Sequence, residues 1–326
     1  MKRVYVLLTM LICICSFTFA GGAKDNKSAN GKVTVTTTIF PPYDFTRAIA
    51  AGKTKGSSLV NLAMLLPPGA ESHSFEPTPR DIIGIQNSDI FIYVGGESDA
   101  WVDRILDSMD TNKIKIIRLM DTVDVVEEEI VEGMEEEEED PLLELGIEPE
   151  PEYDEHIWTS PKNAARIVEA ITKALCETDT ANADSYRANA GLYSAKLNEL
   201  DTAFQAVVNN ANRKTIVFGD RFPFRYFADA YGLSYFAAFP GCSTETEPSA
   251  ATVAFLINKI KEERIPVIFH IELSNERMAD TIAGETGAKK RLLHAVHNIS
   301  KRDFDSGVTY LELMTRNVDT LREALW

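Results

Sequence analysis

The chain has 326 residues, of which 44% are hydrophobic and 25% are charged, and its formal net charge is −17. This length accommodates two domains of roughly 100–150 residues, each with its own core. Residues 127–155 hold 16 acidic side chains and no Lys or Arg, so the rest of the chain is close to neutral. Because binding to nucleic acid needs a basic face, this charge pattern argues against nucleic acid as a partner.

The N-terminal residues have the pattern of an export signal. Lys2 and Arg3 precede an uncharged apolar run, and a small-residue cleavage site stands before Gly21. We predict an export signal over residues 1–20 and a flexible tether over residues 21–31. Lipid attachment, or retention of the segment as an anchor, is the alternative. The mature protein is then expected in the periplasm or tethered to the outer side of the cytoplasmic membrane.

Two cysteines, Cys176 and Cys242, follow the predicted signal. Two are too few for a disulfide scaffold, and neither has a CxxC partner. Export permits a disulfide between them, and two separate buried thiols are the alternative.

Strands alternate with helices in the first half of the chain. The strands are short and rich in β-branched residues, and this alternation predicts parallel pairing with helices on the faces of the sheet. The predicted strands are residues 32–39, 59–66, 89–94 and 113–120, and the predicted helices are residues 41–51, 79–87, 100–109 and 160–176.

The longest helical signal spans residues 183–210, where apolar side chains recur at alternating spacings of four and three. At 1.5 Å per residue the helix is roughly 40 Å long. One helix that carries this stripe across two lobes is favoured over a coiled-coil dimer, because α/β segments flank it. The stripe consists of Tyr186, Ala190, Tyr193, Leu197, Leu200, Phe204 and Val207.

The second half repeats the α/β pattern. Its predicted strands are residues 215–218, 234–239, 267–271 and 291–296, and its predicted helices are residues 223–231, 248–263, 276–285 and 308–325. The predicted fold class is therefore α/β, with two lobes that each hold a mainly parallel four-stranded sheet flanked by helices. The predicted division is a first lobe over residues 32–178, a linking helix over residues 179–212 and a second lobe over residues 213–326.

His73 lies on the predicted loop between the second strand and the helix that begins near Pro79. A histidine after the carboxyl end of a strand points into the crevice where α/β folds bind ligands. Neutral imidazole is a common zinc ligand, and Glu76 could accept the second ring N–H or cap the next helix. Judged from this window alone, a loop histidine that faces water is the alternative.

The sequence around His73, HSFEPTP, resembles the H-x-[FY]-E-P-[ST]-P segment of zinc- and manganese-type solute-binding proteins, the extracytoplasmic receptors of ABC metal importers. The resemblance extends over nearly all of the predicted mature chain. Its other carriers are YDEHIWTSP at residues 153–161, YFADAYGL at residues 226–233, and YLELM at residues 310–314 with Asn317. It implies two lobes joined by a long helix, a metal ion bound between them, and delivery of that ion to a membrane permease.

The resemblance implies that His73 and His156 are metal ligands. The family usually supplies a third ligand from a histidine in an F-H-D segment or from a nearby glutamate, but Gly219 stands at the position of that histidine in this chain. The neighbouring Asp220 is a reserve ligand, although beside Arg221 it could equally be a structural carboxylate.

The fourth family ligand is an aspartate after the last strand of the second lobe, a region that here contains His294 and His297. Both could turn into the cleft if Val296 begins a turn. The predicted metal ligands are therefore His73, His156, His294 and His297. One of the second pair could instead be an outer-shell hydrogen-bond donor, with Glu272 as the reserve. His270, within an apolar strand, is interpreted as a core histidine.

A site rich in imidazole favours tetrahedral Zn²⁺ over Mn²⁺, which prefers oxygen ligands. The predicted function is a monomeric receptor that captures Zn²⁺ and delivers it to an ABC permease. A receptor for Mn²⁺ or another divalent metal, or a surface adhesin of the same fold, is the alternative. A zinc hydrolase is disfavoured because the HExxH pairing is absent and four protein ligands leave no position for water.

The acidic segment, residues 127–155, occupies the place where many zinc receptors of the resembled family carry a histidine-rich loop. Its self-repulsion and low hydrophobicity predict that much of it is unfolded. Our hypothesis is that its carboxylates raise the local metal concentration, and a solvated insertion without that role is the alternative.

Overall fold

The structure is a computed structural model that describes residues 31–72, 74–134, 152–243 and 248–326. The predicted export signal, nearly all of the tether, His73 and the middle of the acidic segment lie outside these residues. Among the described residues, every helix is too short or too polar to cross a membrane.

The first lobe is built on a four-stranded sheet whose strands are all parallel and run in the order β2-β1-β3-β4. Its strands are β1 (Thr34–Thr37), β2 (Asn61–Met64), β3 (Ile90–Tyr93) and β4 (Lys115–Arg118). Its helices are α1 (Phe40–Ile49), α2 (Pro79–Gln86), α3 (Ala100–Ser108) and α4 (Pro161–Thr178). Because parallel strands end at one edge, the loop after β2 emerges beside the loops that follow β1 and β3.

One long helix, α5 (Ala183–Asn209), runs behind both lobes and confirms the predicted helix. All seven members of the predicted apolar stripe are buried, whereas Leu192 on the opposite face is 69% exposed. The helix packs against α1 and α4 of the first lobe and against the C-terminal helix of the second lobe. The hydrophobic effect along this stripe therefore joins the two lobes.

The second lobe contains two parallel strand pairs, β5 with β7 and β9 with β10, joined by a bridge between Phe218 and Phe269. A further short parallel pair, β6 with β8, forms a separate two-stranded sheet. The strands are β5 (Thr215–Val217), β6 (Arg221–Phe222), β7 (Ser234–Phe236), β8 (Phe239–Pro240), β9 (Val267–His270) and β10 (Lys289–Leu292). The helices are α6 (Arg225–Tyr231), α7 (Ala250–Glu263), α8 (Arg277–Thr286), α9 (Lys301–Asp305) and α10 (Tyr310–Leu325).

Two predictions for this lobe were wrong in detail. The strand predicted at residues 234–239 is split into β7 and β8, because the chain changes its partner from β5 to β6. The strand predicted at residues 291–296 ends at Leu292, after which Val296 takes a left-handed conformation with φ of 62°. Residues 293–298 therefore form a loop and place both of their histidines beyond the sheet.

The main hydrophobic core is continuous across the two lobes. Phe45 of the first lobe packs edge-on against Tyr310 of the second, with ring centroids 4.9 Å apart. The Tyr310 hydroxyl donates to the main-chain oxygen of Trp158 at 2.7 Å, and the Asp44 carboxylate accepts from the Tyr310 N–H at 2.7 Å. A shared core with buried hydrogen bonds disfavours wide opening of the cleft.

Candidate metal site

The candidate site is a cavity of about 260 Å³ between the lobes. The first lobe contributes His156 and the loop after β2, and the second lobe contributes His297 and the loops after β5 and β9. The carboxyl ends of strands in both sheets therefore meet at this cavity, as expected for a ligand site in an α/β protein.

His156 lies directly before a short 3₁₀ turn that leads into α4, and it is fully buried. The Asp154 carboxylate lies 3.1 Å from its Nδ1 and also accepts its main-chain N–H at 2.7 Å. A carboxylate at Nδ1 holds the ring proton there, so the lone pair resides on Nε2, as in metal-binding histidines. Burial lowers the pKa of His156, but the carboxylates of Asp154, Glu155 and Glu128 together raise it.

The Gly241 backbone lies against the His156 ring. A Cβ at residue 241 would lie 3.2 Å from both Cε1 and Nδ1 of His156 and 2.9 Å from the Phe222 oxygen. Only glycine allows the second lobe to approach this closely. His156 is thus fixed from both lobes.

His297 faces His156 across the cleft. The two ring centroids are 5.2 Å apart and nearly perpendicular, and Trp158 lies against both rings. Two imidazoles on one tetrahedral zinc ion, with Zn–N bonds of about 2.0 Å, have centroids about 5 Å apart. The spacing of these two rings therefore fits a shared zinc ion.

The loop at residues 293–298 is held by two polar side chains. The Glu272 carboxylate accepts from the N–H groups of Ala295 at 2.7 Å and His297 at 2.8 Å. Asn317 accepts from the His294 N–H at 2.9 Å and donates to the His294 oxygen at 2.8 Å. Both oxygens of Glu272 are thus used to fix the backbone that carries His297.

His294 makes a different set of contacts from His297. Its Nδ1 accepts from the Val296 N–H at 3.0 Å and lies 3.3 Å from the Glu272 carboxylate. Burial lowers the pKa of His294, which favours the neutral ring. A neutral ring whose Nδ1 accepts a hydrogen bond carries its proton on Nε2, so metal binding requires this bond to be exchanged. Among the described residues, those that line the cavity include His297 but not His294.

Gly219 explains the missing family histidine. A Cβ at this position would lie 2.8 Å from the Ala279 Cα and 3.0 Å from the Ile268 Cδ1. The close approach of α8 therefore leaves no room for a side chain.

Asp220 is engaged with the backbone. It accepts from the Arg221 N–H at 2.9 Å and from the Ile271 N–H at 3.2 Å. Burial raises its pKa. The Arg221 guanidinium instead pairs with Glu71 of the first lobe at 3.1 Å, so the arginine bridges the cleft.

His73 lies outside the described residues, but its neighbour Ser72 is buried at the cleft. The Ser72 hydroxyl lies 3.4 Å from Nδ1 of His297. In the described part of the chain, which omits His73, no group of three or more His, Cys, Asp or Glu side chains is arranged to hold a metal ion.

The remaining histidine, His270, and the two cysteines lie outside the candidate site. Nδ1 of His270 lies 3.1 Å from the Ile271 oxygen, and the residue is 9% exposed, as expected for a core histidine. Cys176 and Cys242 are free thiols, so the structure supports the separate-thiol alternative. Burial raises the pKa of the Cys242 thiol.

Sequence reasoning did not identify the residues that orient the candidate ligands. Asp154 was quoted only as part of a motif, although its spacing of two residues from His156 is a usable signal for a carboxylate that orients an imidazole. Trp158 stands in the same motif, but nothing there indicated its bond across the cleft, and Asn298 gave no periodic or motif signal. Their partners are main-chain oxygens that only the fold brings near.

The start of the acidic segment is packed on the second lobe. Glu128 accepts from the Cys242 N–H at 2.9 Å, and Glu129 accepts from the Tyr235 hydroxyl at 3.0 Å and pairs with Arg225 at 3.3 Å. These two residues of the acidic segment therefore contact the second lobe, whereas residues 135–151 lie outside the described residues.

Two α/β lobes on one long helix, with facing imidazoles at the cleft, define a two-lobe solute-binding protein. The chain belongs to the ZnuA family, described as zinc-uptake complex component A, periplasmic, whose family model matches residues 35–324. It is 33% identical over 316 residues to the high-affinity zinc uptake system protein ZnuA of Bacillus subtilis, covering 97% of this chain and 94% of that protein.

Two further comparisons concern AdcA. The chain is 32% identical over 324 residues to the zinc-binding lipoprotein AdcA of Streptococcus pneumoniae, covering 99% of this chain and 61% of that protein. The crystal structure of the Zn(II)-bound ZnuA-like domain of S. pneumoniae AdcA superposes with a TM-score of 0.72 at 28% identity. That superposition covers 90% of this chain and 99% of the domain, so the likeness to AdcA concerns its ZnuA-like part.

Proposed function

We propose that this protein is an extracytoplasmic receptor that captures Zn²⁺ between its lobes and delivers it to an ABC permease. The observation that carries the proposal is the facing pair of His156 and His297, one from each lobe, at a spacing that fits one tetrahedral zinc ion. Membership of a zinc-uptake family and likeness to zinc-binding relatives support the same metal.

In the proposed site His73, His156 and His297 bind the ion. Asp154 orients the His156 ring, and Glu272 holds the backbone of His297. His294 remains the candidate for a fourth ligand and would exchange its bond with the Val296 N–H for the metal.

Several broader expectations form part of the proposal. The lobes span residues 32–178 and 213–326, the linking helix spans residues 179–212, and an export signal over residues 1–20 directs the protein outside the cytoplasmic membrane. The protein acts as a monomer and performs no reaction on zinc. With His294 as the fourth protein ligand, the site has no position for a reactive water.

The direct test is metal analysis of protein purified without added metal, together with the variants His73→Ala and His297→Ala. We expect about one zinc per chain in the wild type and a loss of tight binding in each variant, because three imidazoles or fewer remain. Arg187→Ala, on the exposed surface of α5, is the control and retains zinc. Full zinc content in both histidine variants would exclude this site.

A further inference from the structure

Asn298 is a buried amide at the junction of the two lobes, and it is 2% exposed. Its Nδ2 donates to the main-chain oxygens of Pro67 and Ala70, both at 2.8 Å. Its Oδ1 accepts from the Ile299 N–H at 2.9 Å, which orients the amide so that both donors face the first lobe. One side chain of the second lobe therefore donates hydrogen bonds to two main-chain carbonyl groups of the first lobe.

The turn that Asn298 holds, residues 67–72, enters the cleft. The Ala70 N–H donates to the Pro67 oxygen at 3.0 Å and closes this turn. At its end, the Ser72 hydroxyl approaches Nδ1 of His297. The turn therefore ends beside the proposed metal ligand of the other lobe.

The turn has a second attachment to the second lobe through Glu71 and Arg221, 3.1 Å apart. Glu71 is 42% exposed, so water and salt weaken this pair. The two Asn298 bonds are part-buried, and Asn298 itself is only 2% exposed, so breaking them leaves a buried amide without its partners. Asn298 is therefore the stronger attachment of the two.

A reciprocal bond crosses the cleft in the other direction. Trp158, two residues after His156 in the first lobe, donates its Nε1–H to the Ala295 oxygen of the second lobe at 2.8 Å. Each lobe thus holds the ligand-bearing loop of the other. Separation of the loops requires both connections to break.

We propose that Asn298 is a positioning residue that fastens residues 67–72 to the second lobe and thereby slows the release of zinc. This inference rests on the proposed function, in which the ion is bound by ligands of both lobes. Such an ion leaves when the ligand segments part, and that movement breaks both Asn298 bonds. Loss of these bonds raises the dissociation rate of zinc without removing a ligand.

The test is Asn298→Asp, with zinc dissociation measured by stopped-flow competition with a chelator. This change keeps the side-chain shape and the acceptor for Ile299, but it places an oxygen against two carbonyl oxygens. We expect zinc to dissociate about 10–100-fold faster, in line with the loss of two part-buried hydrogen bonds from a buried side chain. Asn298→Ser, which retains one donor, gives a smaller acceleration and decides the question if the aspartate variant does not fold.

Asn189→Asp is the matched control. Asn189 on α5 also donates through Nδ2 to two main-chain oxygens, those of Ile49 at 2.8 Å and Ala51 at 3.0 Å, and these lie away from the cleft. This variant should lose thermal stability but release zinc at the wild-type rate. A merely structural role for Asn298 predicts the same behaviour for both asparagines.

A wild-type dissociation rate in the folded Asn298 variants would overturn the positioning role and leave the zinc site intact. A wild-type protein that binds no zinc would overturn both the positioning role and the proposed function. The two failures are therefore distinguishable.

Discussion

Packing around the single residue Gly219 excludes a side-chain ligand at that position of the candidate site. The close approach of Ala279 and Ile268 excludes a side chain at this position. In the proposed site, His297 reaches the cleft from another loop and supplies an imidazole in its place. Packing as well as chemistry therefore limits the proposed ligand set.

We expect Gly219→His to destabilise the protein rather than to improve the site. Overpacking costs about 1–3 kcal/mol, and the displaced α8 also disturbs the loop after β9. Denaturant unfolding and zinc titration measure the two effects. Gly191→Ala, at an open position of α5, is the control and should stabilise the helix by about 0.5–1 kcal/mol. A stable Gly219→His protein that binds zinc more tightly would contradict this account.

Asp99 predicts a pH dependence of stability. Burial, with Glu155 nearby, raises the pKa of Asp99 from 3.8 to about 7, although its carboxylate accepts from the Val94 and Gly95 N–H groups. The folded state therefore holds this proton more tightly than the unfolded state. The stabilisation that the protonated Asp99 contributes is fully present below about pH 4 and is lost as the pH rises to about 7.

Asp99→Asn removes this titration while it keeps an acceptor for both N–H groups. Relative to the wild type, the variant should gain stability as the pH rises from 4 to 7, by a few kcal/mol at most, on the order of the pKa shift. Melting temperatures across this range provide the measurement. Asp107→Asn, on the exposed surface of α3, should give a flat difference. Parallel profiles for Asp99→Asn and the wild type would show that burial does not perturb this carboxyl.

At the scale of the element, the long helix α5 joins the lobes through its apolar stripe. Leu197→Ala should cost about 2–5 kcal/mol, because Leu197 is 1% exposed and its removal leaves a cavity in the shared core. Leu192→Ala on the same helix, at a position 69% exposed, should change the free energy of unfolding by less than about 0.5 kcal/mol. Equal effects in chemical denaturation would mean that the stripe is not what joins the lobes.

The elements differ in how well sequence predicts them. The stripe of α5 was predictable because its helical spacing of apolar residues is visible in the local sequence. The run at Ile90–Tyr93 was predictable because an unbroken apolar segment of strand length is equally local. The end of β10 was not, since Glu272 and Asn317, distant in sequence, take the N–H groups that a strand partner would otherwise use.

The candidate site was likewise predictable from the sequence only in part. Motifs indicated His73 and His156, and position indicated the pair of His294 and His297. The different hydrogen bonds of that pair depend on the left-handed turn at Val296. No sequence pattern specifies such a turn at a β-branched residue.

At the scale of the whole molecule, the shared core and the cross-cleft bonds limit the motion of the lobes. Free and zinc-loaded crystal structures should therefore differ by loop shifts of a few Å rather than by hinge closure. A rotation of one lobe that separates Phe45 from Tyr310 would contradict this expectation.

The acidic segment gives a prediction for transport. If its carboxylates concentrate metal, replacing the glutamates at residues 135–139 with glutamine should reduce zinc uptake by cells at limiting zinc. At saturating zinc, uptake should be unchanged. This change leaves Glu128 and Glu129 intact, so the contacts of the segment with the second lobe are retained. Unchanged uptake at limiting zinc would remove the capture hypothesis.

The central claim is that imidazoles from both lobes bind one zinc ion. X-ray absorption spectroscopy of the zinc-loaded protein tests it most directly. The account predicts a first shell of nitrogen at about 2.0 Å with the outer-shell scattering of three or four imidazoles, and one imidazole fewer in His297→Ala. A sulfur shell at about 2.3 Å, indicating Cys242, or an imidazole count unaffected by His297→Ala, would contradict it.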